Sequence, residues 1–351
     1  MNHEKTDLKN FTQEQLVEYV VGLGQPPFRG KQIMGWLYRP EITEFSQMTD
    51  LAKVFRAVLS EHAFISRFED PLVEEAADGC VKFGFRLHDT HIVEAVLIPE
   101  PDRNTLCISS QVGCAMGCSF CLTATMGFIR NLSVAEIVNQ VCGARDYLLQ
   151  LSPERRIGPE NITNVVFMGM GEPLNNLDNV LSALSIMTEQ KGLDLATRKI
   201  TVSTCGIVPK LREFGEKSAV NLAISLHSVR DDIRSRLMPV NRRYPVRDLL
   251  QACRDFPTPK RKRIMFEYTL LDGINDSPED AHDLARELRG IPCKINLLPY
   301  NESPGLPYRS PGDSKMLAFQ KILIDSHYTV FIRNSRGSDI SAACGQLATK
   351  T

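Results

Sequence analysis

The chain lacks any apolar run approaching the roughly 18 residues needed to cross a bilayer, and Met1-Asn2-His3-Glu4-Lys5 leads into no apolar segment of the secretory kind. It also lacks an excess of either charge: 41 Lys and Arg stand against 42 Asp and Glu, a formal net charge of −1. The first absence excludes a helical membrane protein. The second excludes a broadly polycationic nucleic-acid binder, whose nonspecific affinity comes from phosphates neutralised by Lys and Arg. Any RNA contact has to come from local patches such as Lys260-Arg261-Lys262-Arg263 or Arg242-Arg243, each of which reads alone as solvated surface. Repeats and low-complexity tracts are missing too. What is left is a soluble, cytoplasmic chain whose ten cysteines are expected to be reduced. Its 351 residues, 43% of them hydrophobic, suffice for one large core or for a large domain with a small one.

Apolar spacing predicts helices over Phe11 to Leu23, Gly30 to Tyr38 and Leu51 to His62, with Gly24-Gln25-Pro26-Pro27 breaking the first from the second. Gly79 to Leu87 and His91 to Ile98 then read as two strands joined by a turn at Asp89-Thr90. From about Asn104, strand-like and helix-like segments alternate. Strands are expected at Thr105–Ser110, Thr163–Met168, Lys199–Ser203, Asn221–Leu226, Ile264–Leu270 and Lys294–Leu298, and the first helix opens with a capping box of Ser133 and Glu136. The order predicts an α/β chain with a parallel sheet: a partial (β/α)6 TIM-like barrel, or alternatively a doubly wound open sheet. The expected division is a helical unit over residues 1–65, a β-hairpin linker over 66–103 and a core over 104–351.

Cys114, Cys118 and Cys121 form a C-x3-C-x2-C cluster on one tight loop. Three thiolates can each hold one iron of a cubane, which normally takes four, so the fourth iron is left open for chemistry. A structural zinc site would need a second cysteine or histidine pair at suitable spacing, and none lies nearby. Cys80, Cys142, Cys253 and Cys293 scatter as buried thiols do.

In β/α barrels the chemistry gathers where the strands end, because those loops share one mouth. The cysteine loop follows the first expected strand, Gly169-Met170-Gly171-Glu172-Pro173 the second and Ser203-Thr204-Cys205-Gly206 the third; Ser225-Leu226-His227 follows the fourth and Pro299-Tyr300-Asn301 the sixth. Gly169 and Gly171 allow close backbone approach, and Glu172 can accept hydrogen bonds from an ammonium group. Ser203, Ser225 and Asn301 suit hydroxyl and carboxylate groups. Singly, each has a duller reading: Gly-x-Gly as a turn, His227 as a core histidine, Ser225 as a helix cap.

The cysteine loop resembles that of radical S-adenosylmethionine (SAM) enzymes. Together with Cys107-Ile108-Ser109-Ser110-Gln111-Val112-Gly113-Cys114, Met168 to Pro173, Ala223-Ile224-Ser225-Leu226-His227 and Ala342-Ala343-Cys344-Gly345-Gln346-Leu347, it resembles the dual-specificity 23S rRNA/tRNA adenine carbon-2 methyltransferases, from about Phe11 to Leu347. The resemblance implies an N-terminal helical domain that binds RNA, a β linker and a partial radical SAM barrel. It implies that Cys114, Cys118 and Cys121 ligate a [4Fe-4S] cluster, and that Gly171, Glu172, Ser203, Ser225, Leu226, His227 and Asn301 contact SAM. By the same resemblance Cys344 takes a methyl group from one SAM, and a 5′-deoxyadenosyl radical from a second draws hydrogen from it so that it adds to the adenine. Glu94 then accepts a proton, and Cys107 attacks the sulfur of Cys344, leaving a disulfide that cytosolic reductants reset. Read without the resemblance, Cys107 is a buried structural thiol and Glu94 an exposed sheet residue. Where the family pattern leads one to expect a small hydroxyl residue, this chain has Cys205.

The implied substrates are an adenosine near the peptidyl-transferase centre of 23S rRNA and the adenosine following the anticodon of some tRNAs. The implied electron donor is flavodoxin or ferredoxin, and a monomer is expected. One rival reading is the related resistance enzyme acting on carbon 8 of the same rRNA adenosine. Another is a non-enzymatic iron–sulfur protein, redox or RNA-binding; an electron carrier would need four fixed ligands and no cofactor rim.

Overall fold

The computed structural model describes residues 5–257 and 262–348, so Lys260 and Arg261 of the first basic patch lie outside the described residues. Three helices form the N-terminal unit: α1 (Gln13–Gly22), α2 (Phe28–Leu37) and α3 (Lys53–His62). Thr12 and Gln15 cap α1 reciprocally. Leu16, Val20, Ile33, Met34, Leu37, Phe55 and Leu59 are buried, the inward stripe that their spacing predicts. β1 (Thr6–Asp7) pairs with β2 (Ala63–Phe64) and closes the unit's two ends. Lys9, fully buried, reaches across to donate to Asn139 Oδ1 at 2.7 Å.

A single ten-stranded sheet follows. Its first strands, β3 (Leu72–Glu75), β4 (Val81–Arg86), β5 (Ile92–Glu100) and β6 (Arg103–Cys107), form an antiparallel meander, so the hairpin of residues 66–103 is hydrogen-bonded into the core sheet. The loop after β6 forms a separate small hairpin, β7 (Gln111–Gly113) with β8 (Phe128–Asn131), and the one-turn helix α4 (Leu122–Thr125) lies between them. α5 (Val134–Gln150) opens on the Ser133–Glu136 capping box. Then come β9 (Asn164–Phe167), α6 (Leu177–Thr188), β10 (Ile200–Thr204), α7 (Val208–Lys217), β11 (Asn221–Ser225), α8 (Asp231–Leu237) and α9 (Val246–Arg254). β12 (Ile264–Leu270), α10 (Pro278–Glu287), β13 (Cys293–Pro299), α11 (Asp313–Asp325) and β14 (Val330–Ile332) complete it.

From β6 onward the spatial order is β6-β9-β10-β11-β12-β13-β14, every pair parallel. Chain neighbours stay sheet neighbours with no reversal, whereas a doubly wound sheet reverses at its switch point. The fold is therefore the partial barrel, and the doubly wound alternative falls. Tyr268 packs on Phe319 of α11, ring centres 5.3 Å apart, so even-numbered residues of β12 face the helices and Glu267 faces the interior. The register sets Ser225, Glu267 and Asn296 side by side in that interior.

Candidate active site

The three cysteines sit at the tip of the β7–β8 hairpin. Gly113 bends into it at φ +71, with Gly127 O so close that a Cβ would lie 1.9 Å away. The Cys114 amide donates to that carbonyl at 2.8 Å. The loop is held from outside by the Ser119 amide on Leu237 O at 2.9 Å, by Ser119 Oγ with the Tyr308 hydroxyl at 2.6 Å, and by Phe120 edge-on to His227 at 4.9 Å. Burial pushes the Cys114 thiol up to about 11, with Glu172 and Cys121 adding to it. Cys118 is raised too, by burial and then by Cys121 and Cys114. A cation beside Cys114 and Cys118 would offset their burial, and a coordinated thiol is deprotonated outright. Among the described residues no three His, Cys, Asp or Glu side chains converge as they would on one ion. A cubane asks for no such convergence, since each thiolate holds its own iron. The donor set fits the [4Fe-4S] group.

The neighbouring loop after β9 turns at Gly171, φ +95, where a Cβ would fall 2.5 Å from Gln111 Cβ. Ser110 and Gln111 donate their amides to Met170 O at 2.9 and 3.3 Å, and the Glu172 amide returns a bond to Gln111 Oε1 at 2.8 Å. Glu172 is buried, and both its carboxylate oxygens already accept amides, from Leu174 at 2.9 Å and Cys205 at 2.7 Å. It joins two rim loops, and any ammonium it receives shares those oxygens' remaining lone pairs. Burial pushes its carboxyl up while those amides pull it down.

Ser203 lies beside Ala223, and Ser225 beside Glu267, along the interior face. Leu226 is fully buried. His227 is buried in a left-handed turn at φ +56, accepting the Thr269 amide on Nδ1 at 2.9 Å. Burial and the Arg234 charge bring it down to about 3, so it is neutral and carries its proton on Nε2. Asn301 donates to Cys344 O at 3.1 Å.

The C-terminal loop crosses this mouth. The Leu122 amide donates to Gly345 O at 2.8 Å, Thr123 Oγ1 to Leu347 O at 2.6 Å, and Gln346 Nε2 to Glu302 O at 3.0 Å. At its other end Asp78 accepts from Arg336 Nε at 3.3 Å and from the Gly337 amide at 2.9 Å, while the Ala77 amide donates to Asp339 at 2.9 Å. Ala342 and Leu347 pack with Val96, Cys107 and Met170 in an apolar cluster apart from the main core. Cys344 is solvent-accessible but hemmed in by protein, which pushes its thiol up to about 11, with Glu267 and Cys121 adding to it. Cys107 is buried and its thiol raised, by burial first and then by Cys344. Cys344 thus lies within electrostatic reach of both Cys107 and Cys121, all of them free thiols.

The exposed-sheet reading of Glu94 is wrong. Glu94 is 7% exposed, because the C-terminal loop covers its face of the sheet, and burial raises its carboxyl against the pull of Lys82. Three further buried groups went unseen in the sequence. Lys82 lies beside Glu94. Glu267, pushed up to about 7 by burial, accepts from Asn296 at 2.9 Å. Arg234, fully buried on α8, donates to Leu226 O, Ser225 O, Cys205 O and Asn241 Oδ1 at 2.8 to 3.2 Å. A charged residue inside an apolar strand was the only available signal, and Lys82 and Glu267 both carried it.

Residues 6–65 match the family described as the ribosomal RNA large subunit methyltransferase N-terminal domain, and residues 108–285 match the radical SAM superfamily. A protein of Desulfotalea psychrophila named dual-specificity RNA methyltransferase RlmN is 67% identical over 99% of this chain and 96% of its own length. One of the same name from Geotalea uraniireducens is 52% identical over 98% and 97%. A crystal structure of a radical SAM methyltransferase from Sphaerobacter thermophilus superposes with a TM-score of 0.88 at 41% identity, covering 97% of this chain and 98% of that one. With a full-length match to relatives of that name and a cysteine loop set in the mouth of a partial barrel, the chain belongs to the RlmN family of dual-specificity RNA methyltransferases, within the radical SAM superfamily.

Proposed function

We infer that this chain is a radical SAM RNA methyltransferase that methylates carbon 2 of adenosine in 23S rRNA and in tRNA, using a [4Fe-4S] cluster and SAM. The observation that carries the reading is the convergence of Cys107, Cys344 and the cysteine loop on one mouth, across a span from the first barrel strand to the last described turn. Cys114, Cys118 and Cys121 would hold the cluster, with Gly171, Glu172, Ser203, Ser225, Leu226, His227 and Asn301 around SAM. Bound there, the cluster and SAM supply the electron, the radical and the methyl group. Cys344, reachable from the mouth, is the methyl acceptor and loses its thiol proton in that step. Glu94, desolvated and so a stronger base than a surface carboxylate, takes up a proton on release. Cys107 waits in an apolar pocket for the sulfur of Cys344, and a two-electron reductant must reopen the resulting disulfide.

In this reading residues 1–65 are the RNA-gripping unit, 66–103 the linker and 104–351 the methyltransferase core. The chain acts as a monomer in the cytoplasm and draws electrons from a small carrier such as flavodoxin or ferredoxin. Among the described residues no helix is long and apolar enough to cross a membrane, which supports that setting. Two measurements test the reading. Mass spectrometry of digested rRNA from expressing cells should give carbon-2 methyladenosine, and a carbon-8 product refutes the choice. Cys107→Ala should be isolated with RNA covalently attached at Cys344, and RNA-free protein after in vitro turnover refutes the thiol relay.

A further inference from the structure

Opposite residues of an antiparallel pair share a face. Lys82 on β4 stands opposite Val96 on β5, which stands opposite Cys107 on β6; Glu94 lies two residues before Val96 and so on the same face. The C-terminal loop covers that face through Ala342 and Leu347. Lys82 is 9% exposed, too deep for an idle surface lysine. Its ammonium donates to Ile340 O of the loop at 2.7 Å, pairs with Glu74 at 2.9 Å, and stands 3.9 Å from Glu94 Oε1. Among the described residues Glu94 Oε2 is buried without a hydrogen-bond partner, and Lys82 is the cation that stands beside its carboxylate.

We propose that Lys82 is a positioning residue for product release, tying the loop that bears Cys344 to the strand face that bears Glu94 and Cys107 while its charge keeps Glu94 able to take a proton. The inference rests on the function proposed above and assigns no proton transfer to Lys82 itself. Among the described residues the charged groups facing Glu94 are Lys82, which favours its ionised form, and Glu74, which opposes it; the Ala348 amide also favours ionisation. Without Lys82, burial and Glu74 act unopposed except by that amide. An opposite charge at such range is worth about 1–3 pH units on a carboxylate.

The test compares Lys82→Met and Lys82→Arg with the wild type and Cys107→Ala, all full-length and cluster-loaded, scoring RNA–protein adduct on denaturing gels after one turnover across a pH series. Lys82→Met should cleave SAM and form the adduct but resolve it slowly at neutral pH, recovering at a pH higher by about 1–3 units. Lys82→Arg should resolve near the wild-type rate. Wild-type resolution with an unshifted pH profile in Lys82→Met overturns the inference while leaving the thiol relay intact. Equal losses of SAM cleavage, adduct and melting temperature, not rescued by arginine, also overturn it, because they mark a merely structural lysine. No adduct in Cys107→Ala overturns the relay and this inference with it.

Discussion

Gly113→Ala should damage the cluster loop in a calculable way. The residue sits at φ +71, where a side chain costs about 1–2 kcal/mol. Its Cβ would lie 1.9 Å from Gly127 O, so that carbonyl has to retreat by about 1 Å. Retreat breaks the 2.8 Å bond from the Cys114 amide, worth about 0.5–1.5 kcal/mol. The total is about 1.5–3.5 kcal/mol, or about 3–7 °C of melting temperature for the barrel. Gly127→Ala is the control: φ is +69, but nothing lies within 4 Å of the added Cβ. It bears the conformational cost without the clash. After anaerobic reconstitution Gly113→Ala should hold less iron than Gly127→Ala and melt lower. Equal iron loading and equal melting in the two variants refute the claim that this contact shapes the ligand loop.

Cys205→Ser should leave methylation intact, because a hydroxyl can keep the contact with Glu172 and the backbone bond between them is unaffected; a large loss of product in a methylation assay would give the thiol a role. Arg234→Met removes a donor from four carbonyl oxygens, of which Leu226 O keeps the Ser228 amide, and among the described residues no carboxylate forms an ion pair with Arg234, so the variant should lose about 2–3 kcal/mol even after relief of the buried charge. Denaturant unfolding at wild-type stability would refute that estimate.

Much of the barrel was legible because local pattern dictates it. Ile264–Leu270 was expected and found, and Asn164–Phe167 lies inside the expected Thr163–Met168. The rim followed from topology, since parallel strands deliver their carboxyl ends to one side. Short strands were missed for lack of signal: β3 is wholly exposed and β14 has three residues. The union of the linker with the core sheet depends on the β5–β6 pairing across a tight turn, which the alternation of either strand leaves open.

Glu94 escapes the alternation pattern for a deeper reason. Alternation reports the two faces of a strand, and from Val93 to Leu97 both faces are buried. The second cover is the C-terminal loop, fastened by Asp78 and Lys82 at one end and by Leu122 and Thr123 at the other. No local period encodes a lid from the far end of the chain. The same geometry separates two groups of proposed roles. Residues assigned to the cluster and SAM lie at the carboxyl ends of β10 and β11 and on the loops beyond β6, β9, β11 and β13, whereas Lys82 and Glu94 lie on antiparallel strands at the sheet's other flank. In the proposed function Cys344 serves both, on a loop held by Asp78 and Lys82 before it and by Leu122 and Thr123 after it. Perturbations on the linker face should therefore change how product leaves, and those on the rim how SAM is held.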